Sequence, residues 1–173
     1  MLLIARPAPG EFLPYYGRYI DLVGDDLFGA MRSGVDSTRG LLGGLPEARG
    51  DFRYAPDKWS VKEVLGHVID CERVFTYRAL RFSRNDATPL PGFDENAWTL
   101  QSGYASRTLP SLLDEHRAVR AATVAFFENL PEAMWGRTGT ANDARMSVRA
   151  AAYVIAGHEL HHQNVLRERY LKS

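Results

Sequence analysis

Apolar residues recur every three or four positions along four long stretches of the chain, a spacing that places them on one face of an α-helix. The four predicted helices cover residues 26–45, 60–82, 108–129 and 147–171. We find no convincing run of alternating apolar and polar residues, the pattern of a half-buried β-strand. The pattern therefore predicts an all-α protein.

The second predicted helix has the clearest start. Ser60 precedes its apolar run, and Glu63 follows three residues later. This spacing is a capping box, in which each residue's side chain accepts a hydrogen bond from the other's backbone N–H. We therefore predict that the helix begins at Ser60.

A 25-residue connection, residues 83–107, separates the second predicted helix from the third. Neighbouring antiparallel helices need far shorter loops, so this length indicates a crossover or a functional loop. Four amphipathic helices of this length pack as a bundle. We predict one domain over residues 1–173, a four-helix bundle in up-down-down-up order.

The charge balance limits the classes of partner. Lys and Arg number 21, as do Asp and Glu, so the formal net charge is zero and gives no electrostatic case for binding nucleic acid or a membrane surface. Arg6 and Pro7 interrupt the short apolar run at the start, which is not the pattern of a secretory signal. We expect a cytoplasmic protein with a small-molecule substrate, and a homodimer is left open.

The single cysteine, Cys71, excludes an internal disulfide and a cysteine-based structural zinc site. A metal site in this chain would therefore need histidines and carboxylates. Three of the five histidines lie within residues 157–162. His158 and His162 are one helical turn apart on the apolar face, so both imidazoles can converge on one divalent ion.

A third ligand must come from another helix. His67 borders the apolar face of the second helix, and it reaches a depth similar to that of His158 and His162 if the second and fourth helices are antiparallel. His116 has no histidine or carboxylate at helical spacing, and we interpret it as a core-edge residue. His161 lies on the flank of its helix. The predicted ligands are therefore His67, His158 and His162.

Two other metal chemistries fit less well. Residues 158–162 match the His-Glu-x-x-His string of zinc peptidases, but only eleven residues follow them, and the third ligand of that class lies downstream on a separate element. A carboxylate-bridged di-iron bundle needs two Glu-x-x-His pairs, and the chain has one.

Three segments together resemble a known family: residues 59–70, WSVKEVLGHVID, then residues 89–94, PLPGFD, then residues 157–162, GHELHH. In this order they are similar to the DinB-like superfamily of bacterial four-helix bundles, over residues 25–170. The resemblance implies an up-down-down-up bundle with one divalent metal ion. Its ligands would be one histidine of the second helix and two of the fourth, at the positions of His67, His158 and His162.

The resemblance also implies a range of activities. Members include S-transferases that use bacillithiol or mycothiol, a thiol-dependent isomerase, and proteins known only as metal-dependent hydrolases. Three neutral imidazoles leave an open position on the ion, which suits activation of a thiol or a water. The preferred function is transfer of a low-molecular-weight thiol, as co-substrate, to an electrophile, with zinc or nickel as the ion. The alternatives are a hydrolase and a non-enzymatic metal-binding or stress-response module.

Residues that could move protons are harder to choose. Glu159 and His161 neighbour the predicted ligands and are the candidate catalytic residues. Asp94 and Asn96 would reach the mouth of the site if the loop of residues 89–98 folds over it. Cys71 lies one turn after His67 and is interpreted as a packing residue.

Overall fold

Four long helices form the frame of the molecule, which we describe from a computed structural model covering residues 4–172. The α-helices are α1 Gly17–Ile20, α2 Leu27–Leu42, α3 Glu47–Gly50, α4 Val61–Ser83, α5 Glu95–Gln101, α6 Leu109–Glu128 and α7 Val148–Val165. Strands β1 Thr138–Ala141 and β2 Ala144–Ser147 lie between α6 and α7. Short 3₁₀ turns cover Pro14–Tyr16, Tyr104–Ser106 and Glu132–Met134, and a π-helical turn, Leu166–Tyr170, follows α7.

The long helices α2, α4, α6 and α7 correspond to the four predicted ones. The capping box is confirmed, since the Ser60 hydroxyl accepts from the Glu63 N–H at 3.3 Å and the Ser60 N–H donates to the Glu63 carboxylate at 2.7 Å. The side chains of Thr108 and Ser147 likewise cap the N-termini of α6 and α7 by accepting a backbone N–H. Helix α2 stops at Leu42, three residues before the predicted end, and two glycines follow it.

The interior of the bundle is divided along its length. Helices α2 and α4 each pack against both α6 and α7. One apolar cluster includes Met31, Phe82, Phe127 and Tyr153, and a second includes Leu42, Leu65, Ile69, Leu112 and Leu166. Between them along the four helices lie buried polar residues: Thr38, His67, Glu72, His116, Arg120, Thr123, His158, Glu159 and Gln163. A polar layer therefore crosses the bundle between two apolar ends.

The prediction of an all-α chain was wrong for one short segment. Strands β1 and β2 pair antiparallel around Asn142 and Asp143, which both have positive φ, as a tight two-residue hairpin turn requires. The strands have only four residues each, and most of their side chains are small or polar, so apolar alternation is too short to detect. A Cβ at Gly139 would overlap the Phe82 ring, so this glycine lets the hairpin lie against α4.

The hairpin anchors the long connection between α4 and α6. The Leu90 N–H donates to the Thr140 carbonyl, and the Asn142 N–H donates to the Leu90 carbonyl, both at 3.0 Å. The connection also contains α5 and the Tyr104–Ser106 turn, and the Tyr104 hydroxyl donates to Asp70 of α4 at 2.6 Å. These contacts hold the 89–98 loop beside α4. No helix within residues 4–172 is both long enough and apolar enough to span a bilayer.

Candidate metal centre

The structure brings together the three predicted ligands at the contact between α4 and α7. The Nε2 atom of His158 lies 3.1 Å from Nε2 of His67 and 3.1 Å from Nε2 of His162. His67 and His158 are buried, and His162 is half-buried. Helical spacing brings His162 beside His158, and the packing of α4 on α7 supplies His67.

The three nitrogens do not satisfy one another. A neutral imidazole nitrogen carries either one proton or one lone pair, so Nε2 of His158 makes at most one good hydrogen bond with its two neighbours. A divalent ion resolves this conflict, because it accepts a lone pair from each nitrogen. Nitrogens 3.1 Å apart are close enough that one ion could lie within bonding distance, roughly 2.1 Å, of both. Three imidazoles that meet at Nε2 of His158, together with the Cys71 sulfur beside His67, form a donor set that suits a divalent metal ion.

Burial keeps these imidazoles in the form that binds metal. It lowers the pKa of His67 to about 4, with a smaller contribution from the charge of His161. It also lowers the pKa values of His158 and His162 well below the usual value, and the neighbouring histidines add to the effect. All three are therefore neutral at pH 7 and offer free lone pairs.

Cys71 adds a sulfur to the same group. Its Sγ atom lies 3.7 Å from both ring nitrogens of His67, and its ligand atom forms a compact set with those of His67 and His158. Burial raises the pKa of this thiol, so without an ion it stays protonated at pH 7. Its sequence signal was the i, i+4 spacing from His67, although a lone cysteine on an apolar face is more often a packing residue.

A cavity of about 390 Å³ opens beside two of the three histidines, His67 and His158. Aromatic rings dominate its wall, and three polar residues, Arg78, Glu95 and Asn142, complete it. The lining consists of Leu13, Tyr15, Tyr16, Tyr19, His67, Cys71, Phe75, Arg78, Gly92, Phe93, Glu95, Asn142 and His158. A bound small molecule would therefore meet the ion on one side and apolar rings on the others.

Aromatic neighbours fix the orientation of the imidazoles. The Tyr19 ring stands edge-on to His158, with 5.2 Å between ring centroids, and Trp59 packs at 4.6 Å from His67. Tyr19 reaches this position because α1 lies directly on α7. A Cβ at Gly157 would overlap the Tyr19 carbonyl oxygen, so only glycine permits this approach.

Glu159, one of the two candidate catalytic residues, lies in the polar layer and is not among the residues that line the cavity. Its carboxylate accepts from the Thr38 hydroxyl and from the Arg120 guanidinium, both at 2.7 Å. Arg120 also makes a two-pronged contact with Glu72, with both N···O distances 2.8 Å. His116 is fully buried rather than at the core edge, and its Nε2 lies 3.3 Å from Glu159.

His161, the other candidate, is half-buried with its ring near those of Tyr19 and His162. In the long connection, Asp94 caps α5 by accepting from the N–H groups of Asn96 and Ala97. Glu95, rather than Asp94 or Asn96, lines the cavity. The catalytic roles of Glu159 and His161 stay predictions.

Sequence reasoning gave no role to several residues of the cavity wall. Arg78 follows His67 by eleven residues, three helical turns, so both lie on one face of α4, and that spacing could have identified it. Tyr19 and Asn142 come from α1 and the hairpin, which the apolar pattern does not predict.

Comparisons with known proteins agree with this architecture. A family model described as the DinB superfamily matches residues 31–166. No curated protein sequence matches the chain. The solved structure of YfiT from Bacillus subtilis, described as a probable metal-dependent hydrolase with an unusual four-helix bundle topology, is similar to this chain with a TM-score of 0.74. The two are 16% identical, and the match covers 95% of this chain and 92% of YfiT.

That likeness shows the fold, and a family match over well more than half of the chain shows the family. The resemblance deduced from residues 59–70, 89–94 and 157–162 is thereby confirmed. This chain belongs to the DinB superfamily.

Proposed function

We propose that this protein is a divalent-metal-dependent enzyme that transfers a low-molecular-weight thiol to an electrophilic small molecule. The observation that carries the proposal is the convergence of three neutral imidazoles beside an aromatic-lined cavity. A divalent ion bound by three neutral ligands keeps its full charge, and it would lower the pKa of a thiol or a water that reaches it.

Each protein group then has a defined part. His67, His158 and His162 donate lone pairs, and Tyr19 and Trp59 hold two of their rings in place. The aromatic wall limits the water around the reacting atoms, which strengthens electrostatic interactions there. Glu159 and His161 are proposed to assist proton transfer. The Glu159 carboxylate lies in the polar layer, where it contacts Thr38 and Arg120.

Zinc or nickel is the proposed ion. Imidazole suits both metals, and a nearby thiol such as that of Cys71 is compatible with either. The substrate is proposed to be a small molecule, since the cavity has the size of an ordinary small-molecule site. A cytoplasmic location and a homodimer stay predictions from the sequence.

The second candidate function is hydrolysis of a small molecule. The description of YfiT as a probable metal-dependent hydrolase supports it, because the two proteins share a fold. Glu95 is the one carboxylate among the residues found to line the cavity, and it is exposed at the rim. A third candidate is a metal-binding module without catalysis. It would use the same metal ligands as the two enzyme candidates and would differ from them only in that it turns over no substrate.

The up-down-down-up order of the helices belongs to the same proposal. Between α4 and α6, residue numbers rise together along the contact: Glu72 pairs with Arg120, and Thr76 with Thr123. Between α2 and α6, one number rises as the other falls: Met31 contacts Arg120, and Arg39 contacts Asp114. Rising order supports parallel helices, and falling order supports antiparallel ones.

Cobalt-substituted protein tests the proposed reaction class. Adding a small thiol should produce an intense sulfur-to-cobalt charge-transfer band, and the thiol should then be consumed together with an electrophile. Cys71→Ser is the control, since a band already present without added thiol, and lost in this variant, comes from the protein's own sulfur. Metal-dependent cleavage of an ester or amide at full rate without any thiol would contradict the proposal and favour hydrolysis.

A further inference from the structure

Arg78 is a buried cation in the wall of the metal cavity. It lies on α4, is only 2% exposed, and lines the same cavity as His67 and Cys71. Burying a guanidinium removes it from water at a substantial cost in free energy. A buried guanidinium is therefore normally paired with a carboxylate, whose charge offsets that cost. The neighbouring buried arginine, Arg120, has two such partners in Glu72 and Glu159.

Arg78 has no such partner within residues 4–172. Its guanidinium donates to the Pro91 carbonyl oxygen at 3.1 Å and lies over the rings of Phe75 and Phe93, at 5.1 Å and 5.9 Å from their centroids. In the described part of the chain, no carboxylate oxygen lies within 4.0 Å of its nitrogens. A guanidinium has five N–H donors; the Pro91 carbonyl accepts from it and the Tyr16 hydroxyl interacts with it, so donors remain for a ligand.

A second cavity, of about 620 Å³, meets the first at Arg78, Gly92 and Phe93. Two more arginines line it, but both are paired, Arg73 with Glu115 and Arg81 with Asp86. Among the arginines of residues 4–172 that line either cavity, Arg78 alone lacks a carboxylate. Its charge is therefore directed at whatever fills these cavities.

We propose that Arg78 binds a carboxylate of the small molecule that occupies the metal cavity. The inference rests on the proposed function, because it assigns a chemical class to the ligand of that site. Two aromatic rings contact the faces of this guanidinium, so the N–H groups along its edge are the ones that can bind a ligand. A carboxylate is a planar monoanion that can accept two parallel hydrogen bonds from that edge. A phosphate dianion would call for more positive charge than this wall provides.

The position of Arg78 also limits the shape of the ligand. It follows His67 by eleven residues, a rise of about 16 Å along α4. Arg78 nevertheless lines the same cavity as His67 and His158, so one molecule in that cavity can contact both ends. A molecule that reaches both therefore carries its carboxylate several bonds away from its reacting group.

Glu95 is the nearest competitor for this role. It lines the same cavity but is exposed, and it makes no ion pair with Arg78 within 4.0 Å. Its negative charge on the cavity wall would repel a carboxylate bound there. Removing the negative charge of Glu95 should therefore strengthen binding of the ligand. This expected gain is a second test, opposite in sign to the loss expected when the charge of Arg78 is removed.

Calorimetric titration of the metal-free protein with 3-phenylpropionate and with 3-phenylpropionamide measures the preference for a carboxylate. We expect the acid to bind about 10- to 100-fold more tightly than the amide, the range for a hydrogen bond to a charged group. Arg78→Gln should abolish this preference, Arg78→Lys should keep part of it, and Glu95→Gln should increase it. Arg117→Gln, at an exposed position on α6, removes the same charge elsewhere and should leave it unchanged.

The proposal is overturned if the wild-type protein shows no preference for the acid, including no detectable binding of either compound, or if the preference survives in Arg78→Gln. Should Arg78→Gln not fold, the acid-against-amide comparison in wild type and Arg78→Lys decides. Because the titration uses no metal, its result is independent of whether the histidines bind an ion.

A second pair of probes identifies which molecule carries the carboxylate. Cobalt-loaded protein is titrated with 6-mercaptohexanoate and with 6-mercaptohexanamide, whose chains are long enough to extend from the ion toward Arg78, and the charge-transfer band reports binding. A preference for the acid that Arg78→Gln removes assigns the carboxylate to the thiol. A preference seen only with the phenylpropionate pair assigns it to the electrophile. If the cobalt site fails to form, the proposed function fails while the phenylpropionate result stands.

Discussion

Single residues in the centre of the bundle owe their chemistry to burial. His67, His158 and His162 are neutral because the protein interior disfavours their charged forms, and the neutral imidazole is the one that binds metal. Protons and metal ions compete for the same lone pair. A lowered pKa means that the imidazole binds a proton more weakly, so a metal ion can remain bound at lower pH.

The metal should accordingly stay bound in mildly acidic solution. An imidazole with the reference pKa of about 6.5 is roughly nine-tenths protonated at about pH 5.5. With the pKa of His67 near 4, protonation is minor there, and metal affinity should fall steeply only as the pH approaches about 4. Metal content after dialysis across this range checks the prediction, and loss of half the metal by about pH 6 would contradict it.

Arg120 is the residue on which the polar layer depends most. It neutralises Glu72 and Glu159, and its Nη1 also donates to the Met31 carbonyl at 2.6 Å. Arg120→Ala would leave two carboxylates buried without a cation, so we expect the free energy of unfolding to fall by about 3–5 kcal/mol. Urea denaturation measures it.

Arg39→Ala is the surface control for that experiment. Its ion pair with Asp114 spans 3.6 Å, and both side chains are more than half exposed. This change should cost at most about 1 kcal/mol. A similarly small effect of Arg120→Ala would show that Glu72 and Glu159 do not depend on this cation in the folded protein.

Residues one helical turn apart could be placed from the sequence, whereas residues brought together from different helices mostly could not. His158 and His162 follow from their spacing, and His67 from its face and depth on the second helix. The contacts of Glu159 with Thr38 and Arg120 join residues far apart in the chain. No local pattern carries that information, and Glu159 therefore resembled a residue beside the metal.

At the scale of elements, apolar periodicity and end signals were enough to locate α2, α4, α6 and α7. The short elements were not predictable in this way. Helix α5 has seven residues and the strands have four each, too few for a period to repeat. These short elements nonetheless build the cavity wall, through the 89–98 loop and Asn142.

The contact between α1 and α7 gives a prediction for an element. Gly157→Ala would push a methyl group into the Tyr19 backbone, so α1 must shift away from α7. We expect a loss of about 1–3 kcal/mol in stability, together with weaker metal binding, because Tyr19 packs against His158.

Gly40→Ala is the matched control, since Gly40 is exposed in α2 and nothing lies within 4 Å of its added methyl group. That change should raise stability by about 0.5–1 kcal/mol, as alanine is the better helix former. Thermal unfolding and metal titration of both variants check the pair. Equal stability of the two variants would contradict the close approach of α1 to α7.

The whole molecule is a bundle whose two apolar clusters hold a costly polar layer in place. In one half of that layer Arg120 pairs with the carboxylates of Glu72 and Glu159. The other half contains His67 and His158, which meet His162 at its edge, and we propose that an ion completes it. Metal binding should therefore stabilise the fold by mass action, since the unfolded chain does not present the three imidazoles together.

The most direct test of the three-histidine site is the metal content of the purified protein and its histidine variants after loading with zinc or nickel. We predict one ion per chain in the wild-type protein and in His116→Ala, whose histidine is fully buried but outside the site. His67→Ala, His158→Ala and His162→Ala should each lose stoichiometric binding. Full occupancy in His67→Ala, or no bound ion in the wild-type protein, would contradict the three-histidine site.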